Sequence, residues 1–365
     1  MSVLLRLSLQ RRFALNDGPE WFAYESRSIQ IEKGAEAEMV MDLSAEIKCL
    51  EGHILKGGSL TGKEAFSISS VPDSDIFDLF ASANKIRAHF RGNTVGLCSI
   101  VNAKSGACTE DCRFCAQSAK SRAKIEVHPL LNKEAVLNKA VEAKDAGAQR
   151  FSIVTSGRTV THKDLLEIAG MISGIRETGL LPCASLGLLK EDELLLLKKA
   201  GLDRYHHNLE TSERFFPQIC GTHTYAEKLR TIQAAKSTGL SICSGGLFGI
   251  GEMWEDRIDM AFALRELDVD SVAINFLIPI AGSAMDGGSL LHPFEALKIV
   301  SLYRFILPQK EIRICGGRLQ VLREFNSLVF AAGADGMITG NYLTTPGRSP
   351  EDDLKLIELF GLEVL

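Results

Sequence analysis

Cys108-Thr-Glu-Asp-Cys112-Arg-Phe-Cys115 puts three thiols into one short loop of a 365-residue chain that has nine cysteines in all. Scattered at random, nine cysteines would give a C-x3-C-x2-C run in roughly half a percent of such chains, so the spacing asks for a chemical reason. Structural zinc needs a fourth Cys or His at matching spacing, and the next candidate downstream, His128, has no second ligand beside it. An iron-sulfur cluster fits better. Three thiolates on a four-iron cluster leave one iron free for a small molecule that chelates it.

Outward from this loop, a unit recurs from Thr94 onward: a short apolar run, a loop, an amphipathic helix, and often a glycine that stops the helix. The predicted strands are Val95–Val101, Arg150–Thr155, Leu181–Leu186, Arg204–Leu209, Leu240–Ser244, Val272–Leu277, Ile312–Cys315 and Met337–Thr339. Helices fill the gaps, as in Asn132–Ala146 before Gly147, Asp164–Thr178 before Gly179 and Glu191–Ala200 before Gly201. Eight such units predict an α/β fold, a closed (β/α)8 barrel of the TIM type, with an open doubly wound sheet as competitor. No Pro/Ser-rich linker interrupts the region, so residues 41–365 read as one domain.

An N-terminal helical extension precedes the barrel. Helical pattern begins near Leu43, Thr61 and Glu64 form a capping box, and Asp73–Phe90 carries Ile76, Leu79, Phe80 and Ile86 at helical spacing. These helices are expected to plug or cap the barrel. Residues 1–40 read as a poorly ordered extension. Arg6, Arg11 and Arg12 without an acidic residue give Met1–Leu15 the composition of a transit peptide, but the plainer reading is an upstream extension, with Met39 or Met41 as the natural start.

Net charge of -5 and the absence of basic clusters argue against nucleic acid, and no apolar run approaches membrane-spanning length. Nine cysteines without a dense disulfide framework, in a chain whose cluster loop needs reduced thiols, point to the cytoplasm.

In a barrel of this type chemistry gathers at the C-terminal ends of the strands. The Cys108–Cys115 loop follows the first predicted strand, Val154-Thr-Ser-Gly-Arg158 the second, Asn208-Leu-Glu210 ends the fourth and Gly245-Gly246 the fifth. Arg150 is expected at the mouth beside Ser152. Cys98, Cys183, Cys243 and Cys315 fall in strands 1, 3, 5 and 7, and barrel interiors are filled by layers of four side chains from alternate strands. Four converging thiols would make a second cluster site; the alternative is four small buried hydrophobes. Cys49 and Cys220 lie outside the strands and read as ordinary thiols, and His206 and His207 as buried, hydrogen-bonded histidines.

The loop, with Phe114 before its last cysteine, resembles the signature of radical S-adenosylmethionine enzymes. Gly106-Ala-Cys108-Thr-Glu-Asp-Cys112-Arg-Phe-Cys115-Ala-Gln-Ser118, Tyr205-His-His-Asn-Leu-Glu-Thr-Ser212, Cys243-Ser-Gly-Gly-Leu-Phe-Gly-Ile-Gly-Glu252 and Leu343-Thr-Thr-Pro346 together resemble the biotin synthase family from about residue 45 onward. The resemblance implies a 4Fe-4S cluster on Cys108, Cys112 and Cys115 that reductively cleaves S-adenosylmethionine, and sulfur insertion into dethiobiotin at the expense of two cofactor molecules. It implies Phe114 against adenine, Asn208 and Glu210 on the ribose hydroxyls, Lys228 at the methionine carboxylate and the Gly245-Gly246 segment along the adenine. Asn275 would hold the ureido ring. It also implies an auxiliary cluster on three cysteines and an arginine, matched by Cys183, Cys243 and Arg313. The third cysteine position is Ser152 here, so a differently built cluster on Cys98, Cys183, Cys243 and Cys315 with Arg313 nearby is expected. A reducing electron donor such as flavodoxin or ferredoxin and a homodimer follow by the same resemblance. The competing readings are a related radical enzyme acting in rearrangement or metallocofactor assembly, and a non-catalytic iron-sulfur sensor.

Overall fold

Eight strands of the computed structural model close on themselves as a parallel barrel, the architecture that the alternating pattern predicts. The structure describes residues 43–365, within a compact unit spanning Met41–Leu365; the reading of residues 1–40 falls outside them. The strands are β1 (Thr94–Lys104), β2 (Arg150–Thr155), β3 (Leu181–Ser185), β4 (Arg204–His206), β5 (Ser241–Phe248), β6 (Ser271–Phe276), β7 (Glu311–Ile314) and β8 (Gly336–Ile338). Strand β1 pairs with both β8 and β2, which closes the ring. A short ninth strand, β9 (Glu363–Val364), runs parallel to the start of β1 and has no clear signal in the sequence.

Three helices precede the barrel: α1 (Leu43–Leu55), α2 (Gly62–Ser69) and α3 (Ile76–Arg91). The expected capping box forms at α2, where the Glu64 amide donates to Thr61 Oγ1 at 3.3 Å and the Thr61 amide to Glu64 Oε2 at 2.7 Å. The connecting helices are α4 (Lys133–Asp145), α5 (His162–Glu177), α6 (Glu191–Lys199), α7 (Tyr225–Ser237), α8 (Trp254–Glu266), α9 (Pro293–Ile306), α10 (Arg318–Leu322) and α11 (Pro350–Leu359). Helix α5 starts two residues earlier than its periodicity suggests because Thr161 Oγ1 accepts the Asp164 amide at 3.1 Å, satisfying one of the first turn's orphan donors. Gly179, at φ 92°, turns the chain out of α5 in the left-handed conformation that suits glycine. The stripe Leu165, Ile168, Met171, Ile172 and Ile175 is buried, as an amphipathic helix on a sheet requires. Helices α1 to α3 do not plug the barrel: α3 lies along α9 and α2 along α8 and α9, on the outside of the helical ring.

The N-terminal end of the barrel is closed by charge. Arg204 Nη1 donates to Glu311 at 2.7 Å, Glu311 pairs also with Arg313, and all three residues are buried. Arg150 belongs at this end as well. It opens β2, pairs with Asp203 and touches Cys183 Sγ at 3.9 Å, so the expectation of Arg150 at the mouth is corrected.

Several strand ends move, β1 running on to Lys104. Strand β4 stops at His206, and beyond it a single bridge from Glu210, itself left-handed at φ 75°, to Gly246 continues the pairing. Strand β5 runs on to Phe248, and Cys315 falls just past β7.

Candidate active site

A cavity of about 440 Å³ enters the barrel from the C-terminal ends of the strands. Its outer wall carries Cys108, Cys112, Phe114 and Cys115, and its inner wall carries Cys98, Cys243, Arg313 and Cys315. The sequence spreads these groups from Cys98 to Cys315, and the barrel brings both thiol sets to one space.

The three loop thiols are half-buried. The loop is tight: the Cys115 amide donates to Cys112 O at 3.1 Å and the Ser118 amide to Cys115 O at 3.2 Å. Asp111 anchors it across the barrel mouth by accepting the Gly221 and Thr222 amides at 2.9 and 3.1 Å. Burial pushes the Cys115 thiol up, and Cys108 acts in the same direction. Three half-buried thiols within one loop on the cavity wall offer the thiolates that cluster iron takes as ligands. The donor set therefore fits a cluster.

Around the loop stand the groups expected to meet S-adenosylmethionine. Phe114, Asn208, Glu210 and Lys228 all line the cavity. Asn208 and Glu210 sit past the end of β4 and do not end it as expected, yet Asn208 acts on the Glu210 carboxyl, lowering its pKa. Burial outweighs this and raises that carboxyl's pKa, which leaves it in need of a hydrogen-bonding partner. Lys228 is buried on α7, with Nζ donating to the Asn208 carbonyl at 3.0 Å, so it is not a surface lysine. Gly245 and Gly246 stand outside the cavity lining. A Cβ on Gly245 would lie 2.0 Å from the Ala273 carbonyl oxygen, and one on Gly246 would lie 2.5 Å from that of Glu210, so close backbone approach explains both. Glu252 is turned inward to its own loop, accepting the Ile250 amide at 2.8 Å and Arg257 Nε at 2.7 Å.

Deeper in, Cys98, Cys183, Cys243 and Cys315 are all buried. Cys183 acts on Cys98 and lowers its thiol's pKa, while burial, with Cys98 beside it, pushes Cys183 up to about 12. Cys243 and Cys315 pack together with Ala273, and burial raises both thiols. Arg313 is buried, and its Nε and Nη1 have no hydrogen-bond partner, leaving N–H donors within reach of the thiols' field. Ser152 sits opposite Cys183 in the β2–β3 register, its Oγ 3.3 Å from His206 Nδ1. Cys98, Cys243 and Cys315 on the cavity wall beside an arginine with idle donors fit a second metal-sulfur group, while Cys183 stands outside the lining.

Asn275 lines the cavity with part of its amide already engaged: Oδ1 accepts the Gly316 amide at 3.0 Å and Nδ2 donates to Gly246 O at 3.2 Å. One N–H and one lone pair remain. His206 and His207 also line the cavity, but the Nε2 of each lacks a partner, so they are less fully satisfied than buried histidines usually are. Burial holds His207 well below the usual histidine pKa, hence neutral.

Cys220, read from the sequence as an ordinary thiol, lies 3.8 Å from Cys112 Sγ and 3.2 Å from His223 Nδ1. The C-x2-H spacing of Cys220 and His223 was the available signal, and the Asp111 tether helps hold the pair against the loop.

Residues 103–264 match the Radical SAM superfamily, and residues 273–363 match the Biotin and Thiamin Synthesis associated domain. Biotin synthase of Thermodesulfovibrio yellowstonii is 52% identical over 81% of this chain and 94% of its own length. That of Heliobacterium modesticaldum is 48% identical over 87% and 98%, and that of Syntrophus aciditrophicus 49% over 87% and 99%. Among solved structures, methylornithine synthase superposes with a TM-score of 0.77 at 20% identity, covering 87% of this chain and 97% of its own. The FeFe-hydrogenase maturase HydG of Carboxydothermus hydrogenoformans gives 0.74 at 18%, covering 87% and 79%. At such identities these two share the fold alone. No helix among the described residues is long and apolar enough to cross a membrane. With relatives about half identical along nearly their whole length and both characteristic segments in place, the chain belongs to the biotin synthase family of radical S-adenosylmethionine enzymes.

Proposed function

We propose that the chain inserts sulfur into dethiobiotin to form biotin, drawing the sulfur from an auxiliary iron-sulfur cluster held within the barrel. One observation carries the reading: two sets of thiols face a single cavity, one at the mouth and one at the inner end. A hydrogen-abstracting group at one end and a sulfur source at the other would bracket a small substrate.

When bound, the loop's 4Fe-4S cluster supplies the electron that cleaves S-adenosylmethionine, yielding a 5'-deoxyadenosyl radical able to take hydrogen from an unactivated carbon. The chain's own residues bind, orient and exclude water. Cys108, Cys112 and Cys115 hold the cluster, and Phe114 lies against the adenine. Asn208 and Glu210 take the ribose hydroxyls, the paired amide and carboxyl suiting a diol. Lys228 offers a desolvated charge to the methionine carboxylate, without the fork an arginine would bring. Asn275 presents its remaining N–H and lone pair to the ureido group. Gly245 and Gly246 serve by letting β5 approach β6 and the Glu210 segment closely.

For the auxiliary site we propose Cys98, Cys183, Cys243 and Cys315 as ligands, with Arg313 directing its idle N–H groups at the sulfur atoms. Ser152 leaves that position to a hydroxyl already engaged with His206, and Cys98 and Cys315 make up the number of thiolates. The reading takes residues 41–365 as the catalytic unit. It includes a homodimer, a flavodoxin- or ferredoxin-like reductant and a reducing cytoplasm.

The test is anaerobic. Reconstituted protein is given reductant, S-adenosylmethionine and dethiobiotin, and products are followed by mass spectrometry. Biotin with 5'-deoxyadenosine is expected, and neither from Cys108→Ala protein. Deoxyadenosine without biotin would refute the substrate while keeping the radical chemistry.

A further inference from the structure

We propose that the chain, when its loop cluster is absent, binds one thiophilic divalent cation of the zinc class at Cys112, Cys220 and His223, and that this occupancy blocks cluster assembly because Cys112 serves both. Among the described residues, these three form a group whose donor atoms all lie within 4.8 Å of one another. Zinc–sulfur bonds of about 2.3 Å place two thiolates at tetrahedral corners about 3.8 Å apart. Cys112 and Cys220 Sγ are 3.8 Å apart.

The histidine is set for the same ion. His223 Nδ1 lies 2.6 Å from Glu110 Oε2, so Nδ1–H donates to the carboxylate and Nε2 keeps its lone pair. A carboxylate behind a ligating imidazole is the arrangement that fixes tautomer and ring orientation at zinc sites. Nε2 is 3.8 Å from Cys220 Sγ, again near a tetrahedral edge; Nδ1 is closer, at 3.2 Å, but is committed to Glu110. Glu110 is itself held by Thr222 Oγ1 at 2.7 Å, and Arg158 stands 3.6 Å away. The fourth corner falls to water. Binding converts both thiols to thiolates and releases their protons.

A Cys112 thiolate bound to this cation is no longer free as a terminal ligand for cluster iron. The cation keeps the middle thiol of the loop beside Cys220, where it already lies, and the loop presents two free thiols to incoming iron and sulfide where assembly needs three.

The experiment uses the full chain, cluster-free and anaerobic, in a Cys98→Ala/Cys315→Ala background that removes two of the barrel thiols as competing ligands. Co2+ stands in for Zn2+ because its ligand-field and thiolate-to-metal bands report tetrahedral sulfur ligation. One Co2+ per chain, displaced by Zn2+, is expected, with Cys220→Ser and His223→Gln each weakening it about tenfold or more. In a second arm, one equivalent of Zn2+ is added before iron and sulfide. Loop-cluster formation should slow about tenfold, while Cys220→Ser protein assembles its cluster at one rate with or without zinc. Cobalt bands and affinity unchanged in both variants, or equal slowing by zinc in Cys220→Ser, would overturn the proposal.

Discussion

Glu311 is the residue whose loss the barrel should tolerate least. It lies between Arg204 and Arg313, all three buried, and those two arginines hold its carboxyl well below the usual carboxylate range despite its burial. Glu311→Gln keeps the shape and removes the charge, leaving two guanidinium groups desolvated without a counter-ion. Breaking a buried pair by removing one partner costs about 3–5 kcal/mol. At about 2 °C per kcal/mol for a large domain, thermal unfolding of the cluster-free chain should fall by about 6–10 °C. The pH dependence has a definite sign. A carboxyl whose folded pKa is depressed contributes its stability above its unfolded value near 4.3, and loses it as pH falls through the folded one. The gap between wild type and Glu311→Gln should therefore stay constant from about pH 8 to 5 and narrow only below the ordinary carboxylate range. The assay is calorimetry or circular dichroism across that pH range, with a triple Arg204→Leu/Glu311→Leu/Arg313→Leu protein expected to recover at least half the loss, since apolar replacement of a whole buried network is often neutral. A drop under about 2 °C for Glu311→Gln, within the usual scatter of a surface change, would refute the reasoning.

Lys228→Gln should raise the dissociation constant for S-adenosylmethionine about tenfold, the effect of losing about 1.4 kcal/mol, measured by equilibrium binding to reconstituted protein. Iron and sulfide content should fall to that of the loop cluster alone in Cys98→Ala/Cys315→Ala protein; full cluster content in the variant would remove these two residues from the auxiliary site. Gly245→Ala places a methyl 2.0 Å from the Ala273 carbonyl oxygen and should cost about 1–3 kcal/mol or more through forced separation of β5 and β6, read as a lower unfolding midpoint.

The barrel was legible because its signals are local and repeated: eight apolar runs, helix caps such as Asn132 and glycine stops such as Gly179 recur in order. The loop thiols declared themselves by spacing alone. The burial of Cys98, Cys183, Cys243 and Cys315 was legible through strand parity, though Cys183 stands outside the cavity lining. What parity could not give was the end of β4, which stops at His206, short of the left-handed residue Glu210. The inward place of Lys228 came from the resemblance alone, because a lysine on a helix reads as exposed until the neighbouring Asn208 carbonyl is known. Arg150 was assigned to the wrong end for a plainer reason: the first residue of a parallel barrel strand lies at the closed side, whatever its charge. Cys220 escaped because its partners come from a loop more than a hundred residues earlier.

The charged floor formed by Arg204, Glu311 and Arg313 leaves traffic with the outside to the mouth. Whatever reaches the inner thiols comes and goes by one door, so anything seated nearer the mouth stands in its way. Under the proposed function this sets an order of traffic, with the substrate entering before the cofactor and leaving only after it.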